Sequence, residues 1–303
     1  MPAVRPDLSA LLRLTGGPPL TRFAPSPTGY LHLGHVVNAI YVWGVARAAG
    51  GRVVLRIEDH DRLRCRPTYE DALLEDLDWL GFVPDEGRVP PARQSDHPSA
   101  FGAALDALDR DGRVYACDCS RRRLGPGSYD GRCRDRGLPR GGGRGLRVRI
   151  DEGWVHADDV CLGPTDEQPA VECGDLLIRD RDGHWTYQFA VTVDDTRQGV
   201  TLVTRGADLV TSTARQIALA RLLGRSVPPV FLHHPLLLRP DGQKLSKASG
   251  DTGIRELRAR GVDAETVIGM AAAAIGLIGA ARPLPAHEVP ALFAEPVPGF
   301  ASI

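Results

Sequence analysis

Long apolar runs are missing from this 303-residue sequence, and none approaches the roughly 20 residues that a membrane-spanning helix needs. The longest weakly apolar run, 268–280, is mostly alanine and glycine, which is typical of a packed helix. The first 20 residues mix proline, arginine and aspartate with leucine and lack the charged-then-apolar order of a secretory signal. We therefore expect a cytoplasmic protein that has no membrane partner.

Excess positive charge is also missing. The formal net charge is -1, so the chain as a whole has no general attraction for nucleic acid. Arginines are nevertheless concentrated between positions 113 and 149. Such a run is most often a solvated surface, and the alternative is a local site for phosphate groups.

Lysine is nearly absent. Of the 37 basic residues, only Lys244 and Lys247 are lysines. An ammonium group is a compact point charge, whereas a guanidinium is a planar fork. The two are therefore not interchangeable at a site that stabilises charge developing during a reaction. The two lysines could also stand at these positions by chance. Their neighbouring residues decide between chance and a functional site.

The order of predicted elements indicates an α/β fold. A strand at 21–24, a helix at 30–49 and a strand at 52–57 form a βαβ unit, which is typical of a doubly wound parallel sheet. A helix at 69–80 follows, and the stretch from 90 to 195 is irregular. The βα pattern resumes with a strand at 200–204, a helix at 212–223 and a strand at 230–233. We expect the irregular stretch to be an insertion between two halves of one sheet.

A histidine pair follows the first strand, in the segment that runs from Pro25 through His32, Leu33 and Gly34 to His35. A helix that begins there presents backbone N–H groups to an anion, and histidines three positions apart share one helical face. A structurally satisfied pair or a metal-binding pair is the alternative. The segment resembles the HIGH signature of class I aminoacyl-tRNA synthetases, in the extended form of the glutamyl and glutaminyl enzymes.

Both lysines lie in the segment Lys244-Leu-Ser246-Lys247-Ala248. Two ammonium groups beside a hydroxyl can stabilise charge that builds on a departing pyrophosphate. The segment resembles the KMSKS signature of the same enzymes, with Ala248 in the last position. Alone it is a weak signal, and downstream of the histidine pair it is a specific one.

The resemblance implies an ATP site and the groups that promote catalysis there. ATP enters as a substrate together with Mg²⁺. The catalytic residues implied are His32, His35, Lys244 and Lys247. The ATP-binding residues implied are Pro25, Thr28, Gly29, His32, Gly34, His35, Lys244, Ser246 and Lys247.

Three further blocks, at 56–59, 187–195 and 204–209, resemble those that hold the amino acid in the glutamyl enzymes. An arginine fork suits a carboxylate, and a buried carboxylate suits an ammonium group. The alternative for any one residue is a structural ion pair. The resemblance implies that Arg22 and Arg205 meet carboxylates, that Glu58 takes the α-ammonium group and that Tyr187 completes the pocket. The glutamate-binding residues implied are Arg22, Ala24, Ser26, Glu58, Tyr187 and Arg205.

Cysteines crowd into one stretch, with Cys117, Cys119 and Cys133 within seventeen residues. Three thiolates in one loop can hold a structural Zn²⁺ that takes a fourth donor from elsewhere. The spacing resembles the zinc site in the acceptor-binding insertion of shortened glutamyl enzymes, which implies Tyr129 as the fourth ligand. The competing donors are Asp118, Asp130 and water. The other cysteines, Cys65, Cys161 and Cys173, have no such spacing and are expected to be ordinary core or surface residues.

The resemblance extends over residues 21–260 and implies the following units. They are an N-terminal extension at 1–20, the first half of a Rossmann-type catalytic domain at 21–90, a zinc-containing acceptor-binding insertion at 91–195, the second half of the catalytic domain at 196–250, and a helical C-terminal segment at 251–303. A full glutamyl-tRNA synthetase continues for well over a hundred residues more, so we expect no anticodon-binding domain. Val191 also stands where the full-length bacterial enzymes typically carry asparagine.

Both departures are similar to the short glutamyl-queuosine tRNA(Asp) synthetases. That resemblance implies a monomer that activates L-glutamate with ATP without tRNA and then attaches it to the queuosine base of tRNA(Asp). The alternatives are a minimal glutamyl-tRNA synthetase that charges a tRNA 3′ end, a non-catalytic paralogue that binds nucleotide or tRNA, and an unrelated nucleotidyltransferase.

Overall fold

The computed structural model describes residues 5–61, 63–120, 124, 127–237 and 253–294. In chain order its elements are α1 (Leu8–Thr15), β1 (Leu20–Phe23), α2 (Leu33–Ala48), β2 (Arg52–Leu55), α3 (Pro67–Leu80), α4 (Pro98–Arg110), β3 (Val114–Cys117), β4 (Gly145–Val148), β5 (Val155–Ala157), β6 (Thr165–Glu167), α5 (Pro169–Glu172), β7 (Leu176–Arg179), α6 (Tyr187–Arg197), β8 (Leu202–Gly206), α7 (Thr213–Leu222), β9 (Val230–His234), α8 (Ile254–Ala259), α9 (Ala264–Ala274) and α10 (Ala291–Ala294). Within these ranges no helix combines the length and apolarity needed to cross a membrane.

The first half of the parallel sheet is the predicted βαβ unit. Strand β1 pairs in parallel with β2, with Leu20 opposite Arg52. The helix α2 between them is buried on nearly all sides, which suits a central position in the fold. The chain turns into β2 at Gly51, where a β-carbon would lie 2.2 Å from the carbonyl oxygen of Pro19. Only glycine fits this close approach of two backbone segments.

The second half of the sheet is formed by β8 and β9, which are also parallel, with Leu202 opposite Val230. Strand β8 lies beside β1, since the Thr201 N–H donates to the Leu20 carbonyl oxygen over 2.9 Å. The four strands therefore follow the order β2–β1–β8–β9. This arrangement confirms the α/β class and the parallel sheet.

Two predicted boundaries are wrong by a few residues. The helix predicted at 30–49 begins at Leu33, because the His32 side chain caps it by accepting from the Gly34 N–H. The strand predicted at 52–57 ends at Leu55, although Ile57 continues as an isolated parallel bridge to Arg93.

The chain between the two halves forms a separate antiparallel sheet of β3, β4 and β7, and a small β5–β6 hairpin that packs against α7. This sheet packs with α4 and α6 around a second apolar core that includes Leu108, Val148, Ile178 and Phe189. Antiparallel pairing fits an excursion from the parallel sheet, because its strands are joined by local connections.

The C-terminal helices cover α2. At Gly44 of α2, a β-carbon would lie 2.3 Å from the Phe293 ring, so α10 packs directly against the backbone of α2. At the start of the chain, α1 places Leu11 in the same core, fully buried. The core of the catalytic half thus includes residues from both ends of the described chain.

Candidate active site

A cavity of about 420 Å³ lies at the carboxyl ends of the parallel strands. This edge is where doubly wound sheets bind their ligands. The cavity wall consists of Arg22, Ala24, Ser26, His32, Gly34, His35, Val37, Asn38, Glu58, Tyr187, Thr204, Arg205, Gly206, Asp208, Leu209, His234, Pro235, Leu236 and Leu237.

The two histidines at the start of α2 both use Nδ1 as a hydrogen-bond acceptor. His32 Nδ1 accepts from the Gly34 N–H over 3.1 Å, and His35 Nδ1 accepts from the His32 N–H over 3.1 Å. A neutral imidazole that accepts at Nδ1 carries its proton on Nε2. Both rings are therefore set as Nε2–H donors in the cavity wall, with ring centroids 4.0 Å apart.

Gly34 lies under the first of these rings. A β-carbon at Gly34 would lie 2.9 Å from Cε1 of His32 and 3.0 Å from its Nδ1. The absence of a side chain at this position therefore lets the His32 ring fold back over the first turn of α2.

A buried ion-pair network adjoins the cavity wall. Asp195 Oδ1 accepts from Arg22 Nε over 3.0 Å and from Arg56 Nη1 over 2.7 Å. Arg56 Nη2 donates to Glu58 Oε1 over 2.8 Å. Burial alone raises the pKa of Asp195, but the two guanidinium groups outweigh it and the pKa is lowered. Two cations and two anions thus balance one another, and Glu58 is oriented by Arg56.

Arg205 differs from that network, because its partners are neutral. Its Nε donates to His233 Nε2 over 2.9 Å, and its two terminal nitrogens donate to Gln216 Oε1 and Thr213 Oγ1 over 2.6 and 2.8 Å. The side chain is only 4% exposed, and burial lowers its pKa. Within the described residues, Arg205 forms no salt bridge with a carboxylate. A buried guanidinium without a counter-ion is an electrostatic site for an anionic ligand.

Asp159, a carboxylate of the insertion, supports Arg205 through His233. Asp159 Oδ2 bonds to His233 Nδ1, while His233 Nε2 accepts from Arg205. Burial, the largest effect, lowers the pKa of His233, so the neutral ring bears its proton on Nδ1 and accepts at Nε2. The pair fixes both the tautomer of the ring and the orientation of the guanidinium.

The structure brings most of the predicted site residues together. All six predicted glutamate residues and the predicted His32, Gly34 and His35 are in the cavity wall. Pro25, Thr28 and Gly29 lie between β1 and α2, among residues that line the cavity, but are not themselves wall residues. The Pro25 carbonyl oxygen accepts from the Glu58 N–H over 3.0 Å. Val191, which departs from the family pattern, is buried within α6 and does not line the cavity.

The predicted Lys244, Ser246 and Lys247 lie outside the described residues. The chain before that segment ends at Leu237 in the cavity wall. The chain after it resumes at Gly253, which forms a bridge to His32, and the Ile254 N–H donates to the Leu31 carbonyl oxygen over 3.0 Å. Both flanks of the segment therefore lie beside the histidine pair.

Sequence reasoning missed Asp159, Asp195, His233 and His234. Asp159 is far from any recognised motif, and only the fold places it near Arg205. Asp195 is the last residue of the block 187–195, but the sequence indicated no role for it. His234 stacks on Tyr41 with ring centroids 5.2 Å apart, and burial lowers its pKa to about 4. The adjacent histidines at the end of β9 were a signal in the sequence, since a parallel strand in this fold ends at the ligand edge.

The cysteine cluster in the insertion has the dimensions of a tetrahedral metal site. The Sγ atoms of Cys117, Cys119 and Cys133 lie within 4.8 Å of one another, and the last two are 3.7 Å apart. Tyr129 Oη is 3.9 Å from Cys117 Sγ. A tetrahedral Zn²⁺ requires about 3.8 Å between two sulfur ligands and about 3.6 Å between sulfur and oxygen. The residues present fit such an ion.

Both competing carboxylates pair with an arginine. Asp130 is exposed and pairs with Arg132, whereas Asp118 pairs with Arg136 and also lies beside the thiols, with its Oδ1 3.5 Å from Cys133 Sγ and 4.0 Å from Cys119 Sγ. Tyr129 is buried, and the guanidinium of Arg147 lies 3.7 Å from its ring centroid. Tyr129 and Asp118 therefore both place an oxygen beside the three thiols, and Tyr129 is the buried one of the two.

The arginine-rich stretch is largely neutralised by aspartates. Of its eight arginines that the structure describes, six form salt bridges with an aspartate. The pairs are Arg113–Asp151, Arg132–Asp130, Arg134–Asp175, Arg136–Asp118, Arg140–Asp109 and Arg149–Asp135. These six residues favour the interpretation as a solvated surface, and three further arginines of the stretch, Arg121, Arg122 and Arg123, lie outside the described residues.

The chain matches one protein family over most of its length. Residues 20–276 match the family described as tRNA synthetases class I (E and Q), catalytic domain. A relative from Symbiobacterium thermophilum named Glutamyl-Q tRNA(Asp) synthetase is 40% identical over 297 residues, which is 90% of this chain and 91% of that protein. A Rhodobacter capsulatus relative with the same name is 41% identical and is covered over its whole length, by 83% of this chain.

Solved structures of longer proteins share the fold. Glutamate-tRNA synthetase from Elizabethkingia anophelis superposes with a TM-score of 0.70 at 28% identity, covering 84% of this chain and 61% of that one. A glutamate tRNA ligase from Elizabethkingia meningosepticum, solved in complex with its amino acid, gives the same TM-score at 27% identity. The chain spans about 60% of the length of these two proteins.

Proposed function

Because this chain belongs to the class I glutamyl and glutaminyl tRNA synthetase family and is a ligase, we propose that it activates L-glutamate with ATP without tRNA and transfers it to the queuosine base of tRNA(Asp). The acceptor is proposed from the names of the relatives that match almost end to end.

The observation that carries the proposal is the distribution of charge in the cavity. Arg205 is a buried cation whose described partners are all neutral, and Glu58 is a carboxylate held by Arg56 in the same wall. Glutamate carries a side-chain carboxylate that complements Arg205 and an α-ammonium group that complements Glu58. Arg22 donates from Nε and Nη1 to Asp195 and Thr204, so it has Nη2 to offer a substrate carboxylate.

The chemistry we propose for the first step is adenylation. An oxygen of the glutamate α-carboxylate attacks the α-phosphorus of Mg²⁺-bound ATP, a phosphate–oxygen bond forms, and pyrophosphate leaves. The Nε2–H groups of His32 and His35 donate to phosphate oxygens, and Lys244 and Lys247 stabilise the leaving pyrophosphate. The protein contributes positioning and charge stabilisation rather than covalent catalysis.

In the second step, a hydroxyl group of the acceptor attacks the carbonyl carbon of glutamyl-AMP. An ester bond forms, the bond from that carbon to the phosphate oxygen breaks, and AMP leaves while the hydroxyl proton passes to solvent. The chain between the two halves of the parallel sheet also lines the cavity, through Tyr187, and we propose that it contacts the acceptor.

We further propose that the cysteine cluster holds one structural Zn²⁺, with Cys117, Cys119, Cys133 and Tyr129 as ligands. The fit of the distances to tetrahedral geometry supports this. The ion would cross-link the strand β3 to the loop that follows it and so stabilise the insertion.

The experiment that tests the function uses labelled glutamate and ATP with three tRNA samples: tRNA(Asp) that contains queuosine, tRNA(Asp) without it, and tRNA(Glu). We expect stable label on the first sample alone. Label on tRNA(Glu) that mild deacylation removes would instead establish a minimal charging enzyme, a function suggested by the Frankia casuarinae relative named Glutamate--tRNA ligase, which is 40% identical and of which this chain covers 52%.

Exchange of labelled pyrophosphate into ATP tests the first step separately. We expect exchange that depends on glutamate and needs no tRNA. Exchange that appears only after tRNA is added contradicts the proposed independence from tRNA, and no exchange under either condition identifies a non-catalytic paralogue.

A further inference from the structure

A second cavity, of about 300 Å³, lies between the residues that follow β2 and the turn that precedes α6. Its volume is at the lower end of the range for small-molecule sites. Its wall consists of Asp59, His60, Gln94, Ser95, Pro98, Phe101, Gly183, His184 and Trp185. Among the described residues, no wall residue of this second cavity also lines the first one.

The two cavities are neighbours. Glu58 lines the first cavity and the next residue, Asp59, lines the second. The ring of Tyr187 lines the first cavity and lies 6.4 Å, centroid to centroid, from the ring of His60 in the second. A molecule in the second cavity would therefore lie one side-chain layer away from the proposed glutamate site.

One wall of the second cavity is aromatic and fixed in place. The Trp185 ring lies 4.9 Å from Phe189 and 6.0 Å from Phe101, centroid to centroid. The guanidinium of Arg179 lies 5.2 Å from the Trp185 ring centroid. An indole held on several sides is a suitable platform for stacking a nucleobase, because every base has a π face.

The lining of the second cavity also includes a hydrogen-bond donor without a described partner. Gln94 is 1% exposed, and its Oε1 lies 2.8 Å from His60 Nδ1. Its Nε2 atom is buried and has no hydrogen-bond partner in the part of the chain that the structure describes. An unsatisfied buried amide costs stability, so a ligand that supplies an acceptor would be favoured.

Asp59 adds an acceptor to the same wall. Its Oδ1 accepts from the Ser95 N–H over 2.9 Å, and a carboxylate has further lone pairs. A donor on Gln94 and an acceptor on Asp59 match a base that has a carbonyl oxygen beside N–H groups. Guanine-type bases present that edge, whereas adenine has no carbonyl oxygen.

We propose that the second cavity binds a guanine-type nucleobase of the acceptor, stacked on Trp185 and hydrogen-bonded by Gln94 and Asp59. This inference rests on the proposed function, because it takes the acceptor to be a nucleobase that carries a reactive hydroxyl group. Occupation of this cavity would hold that hydroxyl group beside the glutamyl-AMP in the first cavity.

The first test compares two tryptophan substitutions in the full chain. Loss of a stacking platform reduces affinity by about 5- to 100-fold. We expect Trp185→Ala to raise the KM for queuosine-containing tRNA(Asp) by that factor, with a larger effect on transfer than on pyrophosphate exchange. Trp185→Phe keeps a ring and should restore most of the affinity. The matched control is Trp154→Ala, since Trp154 is 66% exposed near β5 and outside both cavities.

An unchanged KM in Trp185→Ala overturns the inference. A loss that is equal in exchange and in transfer also overturns it, because it would show that the cavity serves ATP or glutamate.

The second test is independent of the transfer reaction. Guanosine, and adenosine as the matched probe, are titrated against the tryptophan fluorescence of the protein and of Trp185→Phe. We expect guanosine to quench the unmodified protein more strongly than adenosine and to leave Trp185→Phe almost unaffected. Equal quenching by both nucleosides, or equal quenching of both proteins, contradicts a guanine-type site. Guanosine quenching without label on any tRNA would retain the pocket and remove the proposed function.

Discussion

Single residues in this molecule are distinguished mainly by whether their charge is already compensated. Arg22 and Arg56 share Asp195, and Arg56 also holds Glu58, so this group of charges is complete in the absence of substrate. Arg205 has only neutral partners among the described residues. A substrate anion therefore gains more from Arg205 than from any member of the balanced network.

That difference predicts the effect of Arg205→Gln. The change removes a charged donor from a buried site, and a hydrogen bond to a charged group is worth about 1.5–3 kcal/mol. We expect the KM for glutamate in pyrophosphate exchange to rise by about 10- to 150-fold, with a smaller effect on the KM for ATP. Arg221→Gln is the control, because Arg221 is an exposed residue of α7. A KM for glutamate that stays within twofold of the original value would contradict the role.

Among the elements, α2 combines a structural role and the proposed catalytic role in its first turn. His32 caps the helix and His35 bonds back to the backbone of His32, so the bonds that start the helix also set the two rings. Gly34 permits this at a cost in helix stability, since glycine is less favourable than alanine in a helix.

Replacing Gly34 with alanine should therefore lower activity much more than it changes stability. The new β-carbon would lie 2.9 Å from the His32 ring and displace it. We expect pyrophosphate exchange to fall by about 100-fold, as for the loss of one transition-state donor. The thermal unfolding midpoint should change little, because the gain from replacing a helix glycine is opposed by loss of the cap that His32 provides. Gly102→Ala in α4 is the matched control, because a β-carbon at Gly102 meets nothing within 4 Å. Unchanged exchange in Gly34→Ala would show that the ring position is not critical.

The stability of the insertion that contains the cysteine cluster should depend on the proposed zinc ion. We expect about one zinc per chain by elemental analysis, lost in Cys119→Ser, with a lower unfolding midpoint for the insertion. Cys161→Ser is the control, since Cys161 lies outside the cluster. Tyr129→Phe separates the fourth ligand from the other three: zinc that is retained with unchanged affinity would exclude Tyr129 as a ligand.

For the whole molecule, stability should depend on pH through the buried histidines at the end of β9. Burial lowers the pKa of His234 to about 4, below the ordinary value of 6.5, and also lowers that of His233. The unfolded chain then takes up protons between about pH 6.5 and 4 while the folded chain does not. The free energy of unfolding therefore falls as the pH falls through this window.

A pKa lowered from 6.5 to about 4 means that His234 decreases the free energy of unfolding by at most about 3 kcal/mol. Urea unfolding at a series of pH values measures it, and His234→Gln should flatten the pH dependence. A dependence that is equally steep in this variant would assign the effect to other groups.

The sequence predicted the parts of the fold and site that local patterns encode. The βαβ unit follows from periodicity and glycine positions, and the cavity residues follow from motifs at the ends of strands. It did not predict that Asp159 supports Arg205 through His233, because Asp159 lies 74 positions before His233 and reaches β9 only through an isolated bridge to Phe231. It also did not predict that six arginines of the insertion pair with aspartates, since their partners, such as Asp109 and Asp175, are brought close only by folding.

Those six arginine–aspartate pairs have a consequence for how the insertion would bind RNA. Binding of an uncompensated cation to a phosphate releases counterions from the RNA, and that release makes affinity fall steeply with added salt. A guanidinium that already holds a carboxylate must first give it up, so it contributes little to this release. Where these six residues contact RNA, recognition would then depend on shape and hydrogen bonding. The affinity from these contacts would change little with ionic strength.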